Sequence, residues 1–389
     1  MREFDVTIIG AGLAGLYFAK NVSEQGSSVL LVDRKTDLSK GIHTTGIFVR
    51  KTFEDFDFPA KTLGRPISNV SIYSPKLQKI DLVSPREEFR VGRMGELYNS
   101  LLDECLKTGV EFLSGTRYVA AVASGEDSLV TLERKGETLQ VRARVLVGAD
   151  GARSRVASDM GLDENKEWIV GYEEVFKDIA LNGEPALHCF LSEPLAPGYL
   201  AWISNDGEET HIGVGGYPSR FDPREALKVF KQEIVPQIID TKAMTLSETR
   251  GGRIPVGGVL RRIGNSHALL IGDAAGAVSP LTAGGLDPCL RLSKFAAAVV
   301  SKRFETGDPR VLAAYSGSMF RKKFRNRLLM RLLLKNARSN VLLQMGFAAL
   351  RTSSGKKLAE KVFFKRASFP DVDSAAAASQ FVSVRRKSI

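Results

Sequence analysis

The chain of 389 residues has few cysteines, few histidines and no long uninterrupted apolar stretch. Its three cysteines, Cys105, Cys189 and Cys289, are odd in number and far apart, which excludes a disulfide framework and a cysteine-based zinc pattern. They predict a reducing, cytoplasmic setting and no metal site. No apolar run reaches the roughly 20 residues of a membrane-spanning helix. We also expect no signal peptide, because the first predicted strand begins by residue 4.

Positive charge is the main compositional peculiarity of the chain. The sequence has 55 Lys and Arg against 44 Asp and Glu, a formal net charge of +11. A hydrophobic content of 43% is typical of a globular protein with a substantial core. The length favours one large two-part unit or two domains. The location of the positive charge is therefore more informative than its size.

The opening stretch, residues 4–35, has the pattern of a strand, a glycine turn, a helix and a second strand. Residues 6–9 are an apolar run of β-forming side chains, and residues 29–32 are another that ends at Asp33. Between them, Gly10, Gly12 and Gly15 have the GxGxxG spacing and open onto apolar residues at helical period. This order predicts a βαβ unit that binds a dinucleotide.

Each residue of this motif has a separate predicted role. Gly10 permits the tight turn, Gly12 lets the backbone approach a pyrophosphate, and Gly15 lets the helix pack close to the strand. The unpaired N–H groups at the helix N-terminus are predicted to hold the phosphates. Asp33 lies where a carboxylate accepts hydrogen bonds from a ribose hydroxyl.

Two further turns of this kind follow buried-type strands later in the chain. Asp150 and Gly151 come after the apolar residues 145–147, and Gly272 and Asp273 come after residues 268–271. The last turn continues into AGAVSPLTAGGL and then an apolar helix. Three such turns spread over the chain are far more specific than one, and they predict loops of a single sheet that face one nucleotide.

Outside these turns the chain alternates between predicted sheet and predicted helix. Short runs of alternating apolar and polar residues predict antiparallel strands, and apolar residues at helical spacing predict helices. The strand-rich segments are residues 66–91, 117–146 and 160–265, and the helices are residues 95–109, 224–235 and 315–364. Residues 371–389 are rich in Ser and Ala and are predicted to be disordered.

Residues 321–366 are strongly basic, with fourteen Lys or Arg and one acid, Glu360. Four of the basic residues recur at helical spacing: Arg327, Arg331, Lys335 and Arg338. A solvated face, a nucleic-acid site and contact with an anionic membrane are the open interpretations. Nucleic acid fits poorly, because no nucleic-acid-binding motif accompanies the charge. A basic stripe with Leu329 and Leu333 near the opposite side is typical of a helix in peripheral membrane contact.

The three turns together resemble the fingerprints of the glutathione-reductase-type FAD fold, in its para-hydroxybenzoate-hydroxylase-like branch. The matching segments are residues 10–15 with Asp33, Asp150 to Arg155, residues 272–276, and Arg93 just before a predicted helix. The resemblance implies an α/β fold. In it, a Rossmann-like FAD-binding domain is interleaved with a mixed β-sheet substrate domain and followed by a helical C-terminus.

The resemblance also implies a role for each matching position. The first motif binds the ADP pyrophosphate, Asp33 the adenosine ribose and Asp273 the ribityl chain. The loop at residues 280–286 is expected to bring a helix N-terminus to the flavin, where it stabilises negative charge on the reduced ring. The expected FAD-binding residues are Gly10, Gly12, Ala14, Gly15, Asp33, Arg34, Thr45, Arg93, Val119, Asp150, Gly151, Gly272, Asp273, Pro280, Gly284, Gly285 and Leu286.

The implied domain division is discontinuous. The FAD-binding domain comprises residues 1–65, 92–160 and 266–315, and the substrate domain comprises residues 66–91 and 161–265. A basic helical region spans residues 316–370, and the tail follows from residue 371.

Within this branch the chain is most similar to the geranylgeranyl reductases. GDAAGAVSPLTAGGL has a glycine at position 276 after its two alanines, GGRIPVGG spans residues 251–258, and YLAW leads towards HIGVGG. The similarity implies reduction of C=C bonds in an isoprenoid or other long apolar, lipid-like substrate, with electrons from NAD(P)H or a ferredoxin-like protein. Two alternatives stay open: a flavin-dependent monooxygenase that uses NAD(P)H and O₂, and a flavin-binding redox module without turnover.

Reduction of an isolated C=C bond needs a proton donor as well as the hydride that a flavin supplies. The loop that carries His43, Thr44 and Thr45 follows the second predicted strand, and it either faces the cofactor or is a solvated crossover. Candidates for the proton donor, by residue type alone, are His43, Tyr199, Cys189, His188 and His211. Tyr199 and Trp202 are expected either to line an apolar pocket or to belong to the core.

Overall fold

A strand, a glycine turn, a helix and a second strand open the fold, as the sequence predicts. The computed structural model describes residues 1–179, 184–242, 244–313 and 315–364. β1 (Arg2–Ile9) pairs in parallel with β2 (Val29–Val32), and α1 (Leu13–Ser23) connects them. The predicted disordered tail, residues 371–389, lies outside the described part of the chain.

Strands prevail up to residue 255 and helices prevail after it. The other strands are β3 (Ile47–Val49), β4 (Asn69–Tyr73), β5 (Lys79–Val83), β6 (Phe89–Val91), β7 (Glu111–Leu113), β8 (Thr116–Ser124), β9 (Asp127–Arg134), β10 (Glu137–Gly148), β11 (Trp168–Lys177), β12 (Ala186–Phe190), β13 (Ala201–Asn205), β14 (Thr210–Gly216), β15 (Thr245–Pro255) and β16 (Ala268–Leu270). The other helices are α2 (Arg50–Asp55), α3 (Met94–Lys107), α4 (Arg155–Asp159), α5 (Pro223–Glu233), α6 (Leu286–Thr306), α7 (Arg310–Ala313), α8 (Ser318–Lys323), α9 (Arg325–Asn336), α10 (Asn340–Leu350) and α11 (Ser353–Phe364).

The first sheet brings the three predicted turns together. Its strand order is β7-β2-β1-β10-β9-β8, and β16 joins β10. β1, β10 and β16 run parallel, with Ile9 opposite Gly148 and Gly148 opposite Leu270. Because parallel strands end at the same edge of a sheet, the turns that follow these strands lie side by side.

The predicted meander forms the other side of this sheet. β8, β9 and the first half of β10 pair in antiparallel register, and the second half of β10 pairs in parallel with β1. The register of β8 shifts between Tyr118 and Ala120, so Val119 lies at an irregularity of the strand. Irregularities of this kind re-aim side chains near functional edges of sheets.

The second sheet has the order β15-β11-β14-β13-β12-β4-β5, and its two faces differ. Ile203, Ile212 and Val214 pack in one cluster with Phe230 of α5. Since side chains alternate along a strand, Trp202 and its neighbours of the same parity face the opposite side. β6, which the sequence groups with these strands, pairs instead with β3 in a small separate sheet.

Helix α9 turns Arg327, Arg331 and Lys335 towards the protein, the reverse of the predicted arrangement. Arg331 is 2% exposed, Arg327 donates to the hydroxyl of Ser279 (2.7 Å), and Lys335 pairs with Glu167 (2.9 Å). The inward surface offers a hydroxyl, tyrosine rings and a carboxylate, and these partners allow cationic side chains to be buried. The prediction of an outward basic stripe is therefore wrong for these three residues.

Several apolar side chains of the same region are on the outside. Leu329 and Leu333 of α9 are 59% and 66% exposed, and Val341 and Met345 of α10 are 69% and 65% exposed. We call these four residues the outer apolar face. Within the residues that the structure describes, no helix is both long enough and apolar enough to cross a membrane.

Candidate active site

The three glycines of the first turn differ in what surrounds them. Gly10 has a φ of +108°, and a Cβ there would lie 2.3 Å from the carbonyl oxygen of Ala149. A Cβ on Gly15 would lie 1.9 Å from the carbonyl oxygen of Gly10, so only glycine lets α1 pack this closely. Gly12 precedes α1 and has open space where a Cβ would be. The turn is therefore closed towards the sheet and open at the helix N-terminus, where a phosphate binds.

Asp33 lies directly after β2, beside this turn. Its Oδ2 accepts the N–H of Ala11 (2.7 Å) and its Oδ1 accepts the N–H of Lys35 (2.8 Å). These two bonds fix the carboxylate at the rim of the turn. Its remaining lone pairs are available to hydroxyl groups of a ligand.

Asp150 and Asp273, from the other two turns, have acceptor atoms without partners. Oδ2 of Asp150 accepts the N–H of Arg155 (2.8 Å), while its buried Oδ1 has no partner among the described residues. Among the described residues, no hydrogen bond ends on the carboxylate of Asp273. Burial raises the pKa of this carboxylate to about 6. Both carboxylates therefore have oxygens that can accept hydrogen bonds from a ligand.

Asn165 ties the second turn to the third, and sequence reasoning missed it. Its Nδ2 donates to the carbonyl oxygens of Asp273 (2.8 Å) and Ala152 (3.2 Å). Gly276 has a φ of +67°, and a Cβ there would lie 2.9 Å from Oδ1 of Asn165. The glycine after two alanines was a signal for this close approach, but nothing in the sequence indicated Asn165 as the neighbour.

The three turns line one part of a cavity of about 1200 Å³. The loop from His43 to Gly46, the strands β13 and β15, and the segment before α6 line its middle. The expected FAD-binding residues on its wall are Gly10, Gly12, Ala14, Asp33, Arg34, Thr45, Asp150, Gly151, Gly272, Asp273, Gly284, Gly285 and Leu286. The fold thus gathers most of the expected cofactor-binding positions around one space.

Four expected positions are not on the wall of the cavity: Gly15, Arg93, Val119 and Pro280. Gly15 is enclosed by the packing of α1 against the first turn. Arg93 pairs with Asp206 (2.9 Å), Glu208 (2.7 Å) and Glu209 (3.2 Å), and these carboxylates raise the pKa of its guanidinium. An arginine held by three carboxylates does not extend towards the cavity, contrary to the expectation for Arg93.

Helix α6 begins at the cavity wall. Gly285 precedes it, and a Cβ there would lie 3.5 Å from Oδ1 of Asp273. The hydroxyl of Tyr199 donates to the carbonyl of Thr282 (2.8 Å) and so links the segment before α6 to the second sheet. The free N–H groups and the positive dipole end at the start of a helix favour negative charge in the adjoining space.

Two glycines of β14 make room for aromatic rings on the second sheet. A Cβ on Gly213 would lie 2.3 Å from the indole of Trp202, and a Cβ on Gly215 would lie 2.8 Å from the ring of Tyr199. Trp202 and Tyr199 both line the cavity. The glycines of HIGVGG therefore let the rings lie close to the sheet and form part of the cavity wall.

Glu173 of β11 is a buried carboxylate on this wall, and sequence reasoning missed it too. Its Oε2 accepts the hydroxyl of Thr45 (2.6 Å) and Nε1 of Trp202 (2.8 Å). Its Oε1 lies 3.1 Å from Nδ1 of His211 and 4.0 Å from the guanidinium of Arg250. Alternating strands hold many such acids at exposed positions, so no local signal marked this one as inward.

The candidate proton donors divide into two groups. His43, Tyr199 and Cys189 line the cavity, and Nδ1 of His43 contacts the carbonyl of Gly251 (2.8 Å). Burial raises the pKa of the Cys189 thiol to about 12, which leaves it an inert thiol. His188 and His211 are not on the wall. His188 bonds Tyr73 on another surface, and burial lowers its pKa to about 4.

A further part of the cavity wall is apolar. It is built by β4, β12, the segment after β12, and the helices α9, α10 and α11. Its residues are Ile72, Leu187, Leu191, Leu200, Met330, Leu334, Leu350, Leu358, Ala359, Val362, Phe363 and Phe364. We call this part the apolar chamber. Its side chains offer no hydrogen bonds, so it suits a ligand that needs none.

The polar end of the cavity fits FAD on the chain's own geometry. The open N-terminus of α1 suits a pyrophosphate, and Asp33 suits a ribose. The unpartnered oxygens of Asp150 and Asp273 suit hydroxyl donors, and the start of α6 suits a flavin that gains negative charge on reduction. A glycine turn, inward carboxylates and a helix N-terminus around one cavity define the class of FAD-dependent oxidoreductases.

Comparison with known proteins narrows this class. The FAD binding domain family matches residues 3–317. The chain is 30% identical over 326 residues to digeranylgeranylglycerophospholipid reductase 2 of Methanopyrus kandleri, with 79% of each chain covered. It is 26% identical over 385 residues to digeranylgeranylglycerophospholipid reductase 3 of Methanosphaera stadtmanae, with 94% of this chain and 95% of that one covered.

A solved structure agrees with these relatives in fold. A geranylgeranyl bacteriochlorophyll reductase-like protein from Thermoplasma acidophilum superposes with a TM-score of 0.82 at 17% identity, covering 98% of this chain and 100% of that one. The chain therefore belongs to the FAD binding domain family and, within it, to the digeranylgeranylglycerophospholipid reductases. It is an FAD-dependent reductase, as the resemblance of its motifs implied.

Proposed function

We propose that this protein reduces C=C bonds in the isoprenoid chains of a digeranylgeranylglycerophospholipid-like substrate. The observation that carries the proposal is the continuity of the apolar chamber with the polar, cofactor-binding end of one cavity. An isoprenoid chain gains about 25 cal/mol for each Å² of apolar surface that leaves water, and it has no polar group to satisfy. The names of the relatives support the lipid class of the substrate.

Bound FAD supplies a hydride when it is reduced, and the protein supplies position and electrostatics. Trp202 and Tyr199 line the same cavity, and Thr45 and Glu173 place a hydroxyl and a carboxylate beside Trp202. The start of α6 stabilises negative charge close by. The reducing equivalents come from NAD(P)H or a ferredoxin-like protein, and anaerobic bleaching of the flavin by each in turn identifies the donor.

The test is a product analysis. Protein loaded with FAD, reduced anaerobically and mixed with the unsaturated lipid, is expected to give products heavier by two hydrogens for each bond reduced. Leu187→Asp places a charge in the apolar chamber, and it should abolish reduction without loss of bound FAD. An oxygenated lipid formed in air would contradict the proposal and indicate a monooxygenase.

We further propose that the C-terminal helices contact a lipid surface through the outer apolar face. Exposed Leu329, Leu333, Val341 and Met345 lie on two consecutive helices whose α11 neighbour also lines the apolar chamber. Exposed basic residues lie in α9, in α11 and in the segments that flank α10: Arg325, Arg338, Arg351, Lys356, Lys357 and Lys361. Apolar side chains among cations suit a membrane with anionic headgroups.

Vesicle sedimentation tests this contact. Leu329→Ser combined with Leu333→Ser should weaken binding to vesicles that contain anionic lipid, because about 1.5–3 kcal/mol accompanies full burial of one leucine. Val122→Ser, at an exposed position of the edge strand β8, is the matched control and should not change binding. Equal sedimentation of all three proteins would rule out the outer apolar face as the contact.

A further inference from the structure

We infer that Thr45, Glu173, His211 and Glu209 form a proton relay that delivers a proton from the protein surface to the substrate carbon. This inference rests on the proposed function, because an isolated C=C bond must gain a proton as well as a hydride. Thr45 and Glu173 line the cavity, and His211 lies behind Glu173. Glu209 completes the path with a side chain that is 17% exposed.

The contacts are continuous from the cavity to the partly exposed end. The hydroxyl of Thr45 lies 2.6 Å from Oε2 of Glu173, and Oε1 of Glu173 lies 3.1 Å from Nδ1 of His211. On its other side, Nε2 of His211 lies 3.5 Å from Oε2 of Glu209 and makes no hydrogen bond among the described residues. A fully buried imidazole with one nitrogen so placed is suited to exchange a proton with that carboxylate.

The sheet itself creates this arrangement. In the antiparallel pair of β11 and β14, Glu173 lies opposite Gly213 and Val175 lies opposite His211, so Glu173 and His211 are diagonal neighbours on one face. Gly213 leaves room for Trp202, whose indole N–H holds the second oxygen of Glu173. The carboxylate is therefore fixed between the imidazole and the Thr45 hydroxyl.

The surrounding charges favour a proton on His211. Burial disfavours the charged form of both groups, but Glu173 and Glu209 outweigh it and raise the pKa of the His211 imidazole, while His211 and Arg250 outweigh it and lower the pKa of Glu173. Between the ordinary pKa values of a glutamate and a histidine, the pair is therefore imidazolium and carboxylate. Arg93 and His211 hold the pKa of Glu209 at about 2. Because folding raises the pKa of His211, the imidazole carries its second proton at any pH below the ordinary histidine pKa. It loses this proton as the pH rises through the raised pKa.

Reduction adds one hydride and one proton to each double bond. For each double bond, the π bond breaks, a hydride from the reduced flavin forms one C–H bond, and the proton of the Thr45 hydroxyl forms the other. Thr45 takes a proton from the Glu173 carboxyl, which has taken it from the His211 imidazolium. Water replaces that proton through Glu209, and the flavin is oxidised by two electrons.

The first test needs neither cofactor nor substrate. The chain has four histidines, so ¹⁵N-histidine labelling gives a simple NMR spectrum of the cofactor-free protein. At the ordinary histidine pKa of about 6.5, where a free imidazole is half neutral, the His211 imidazole should stay protonated on both nitrogens. Glu173→Gln should return it to the neutral form at that pH. A neutral His211 in the wild-type protein would show that the relay holds no proton and would overturn the inference.

The second test is a single turnover of the reduced protein with lipid, in H₂O and in D₂O. In protein loaded with FAD to the same extent, Thr45→Val and His211→Asn should each slow flavin oxidation by about 100-fold or more, and Thr45→Ser should restore most of the rate. The solvent isotope effect should grow in the slowed variants. His188→Gln, at a half-buried histidine outside the cavity, is the matched control and should react like the wild type.

The outcomes separate the relay from the function. If the wild-type protein reduces the lipid and the Thr45→Val variant reduces it equally fast, the relay is wrong and the proposed function stands. Slowing by His43→Gln but not by Thr45→Val assigns the proton to His43 and also overturns the relay. A wild-type protein that leaves the lipid unreduced overturns the proposed function, and the relay with it.

Discussion

Replacement of Asp273 by Asn should stabilise the cofactor-free protein and weaken its hold on FAD. The Asp273 carboxylate has no donor among the described residues, and burial raises its pKa from 3.8 to about 6. An unpaired buried charge destabilises the folded state, and asparagine keeps the shape without the charge. The same substitution removes the anionic acceptor that we expect to bind the ribityl hydroxyls.

The size of the stability effect follows from the pKa. A shift of about two units corresponds to about 3 kcal/mol, because each unit is worth about 1.4 kcal/mol. The carboxylate borders the cavity, whose water partly solvates it, so we expect a gain of between about 1 and 3 kcal/mol.

The pH dependence has a definite sign. A carboxylate whose folded pKa is raised has no ionisation cost below its unfolded pKa of 3.8, where both states are protonated. As the pH rises towards about 6, the unfolded chain loses its proton first and unfolding becomes easier. The advantage of Asp273→Asn over the wild type should therefore grow over this interval and stay constant above it.

Urea unfolding of cofactor-free protein at about pH 4 and about pH 8 measures this difference. Asp57→Asn, at an exposed carboxylate, is the matched control and should change stability little at either pH. FAD titration of the same proteins should show weaker binding for Asp273→Asn alone. The reasoning fails if the stability gain is the same at both pH values, or if the variant binds FAD as tightly as the wild type.

Two pairs of glycine substitutions give further predictions. Gly213→Ala should displace Trp202, since the new Cβ would lie 2.3 Å from the indole. Tryptophan fluorescence should shift, and the free energy of unfolding should fall by about 1–3 kcal/mol. The control Gly346→Ala, in α10, should be neutral or stabilising. Gly12→Ala has open space and should leave the unfolding midpoint unchanged while FAD binding is lost, whereas Gly15→Ala should lower the midpoint itself. Unchanged FAD affinity in Gly12→Ala would contradict the placement of the pyrophosphate.

Local sequence was enough to predict much of the cofactor end of the site. The strand, the GxGxxG spacing and the acid after β2 predicted the βαβ unit, and the structure has it at those residues. Such motifs are legible because their requirements are local: a φ of +108° at Gly10 and a 1.9 Å approach at Gly15 exclude other residues whatever the rest of the chain does.

The failure at α9 has an equally physical reason. Arg327, Arg331 and Lys335 share one face with helical spacing, and the sequence could not say which face meets the protein. The answer depends on Ser279, Tyr217 and Glu167, which are distant in sequence and provide polar partners on the inside. A helix period fixes which residues are together and leaves open which way they point.

By itself, then, the sequence predicted the class of the cofactor and the three turns, each after a buried strand, that we expect to hold it. Tertiary structure alone decided that Glu173 faces inward, that it joins Thr45 to His211 across 128 and 38 residues of sequence, and that Arg93 is turned away by carboxylates. Turns are specified by the steric demands of adjacent residues. Buried charges are specified by partners that only folding brings within reach.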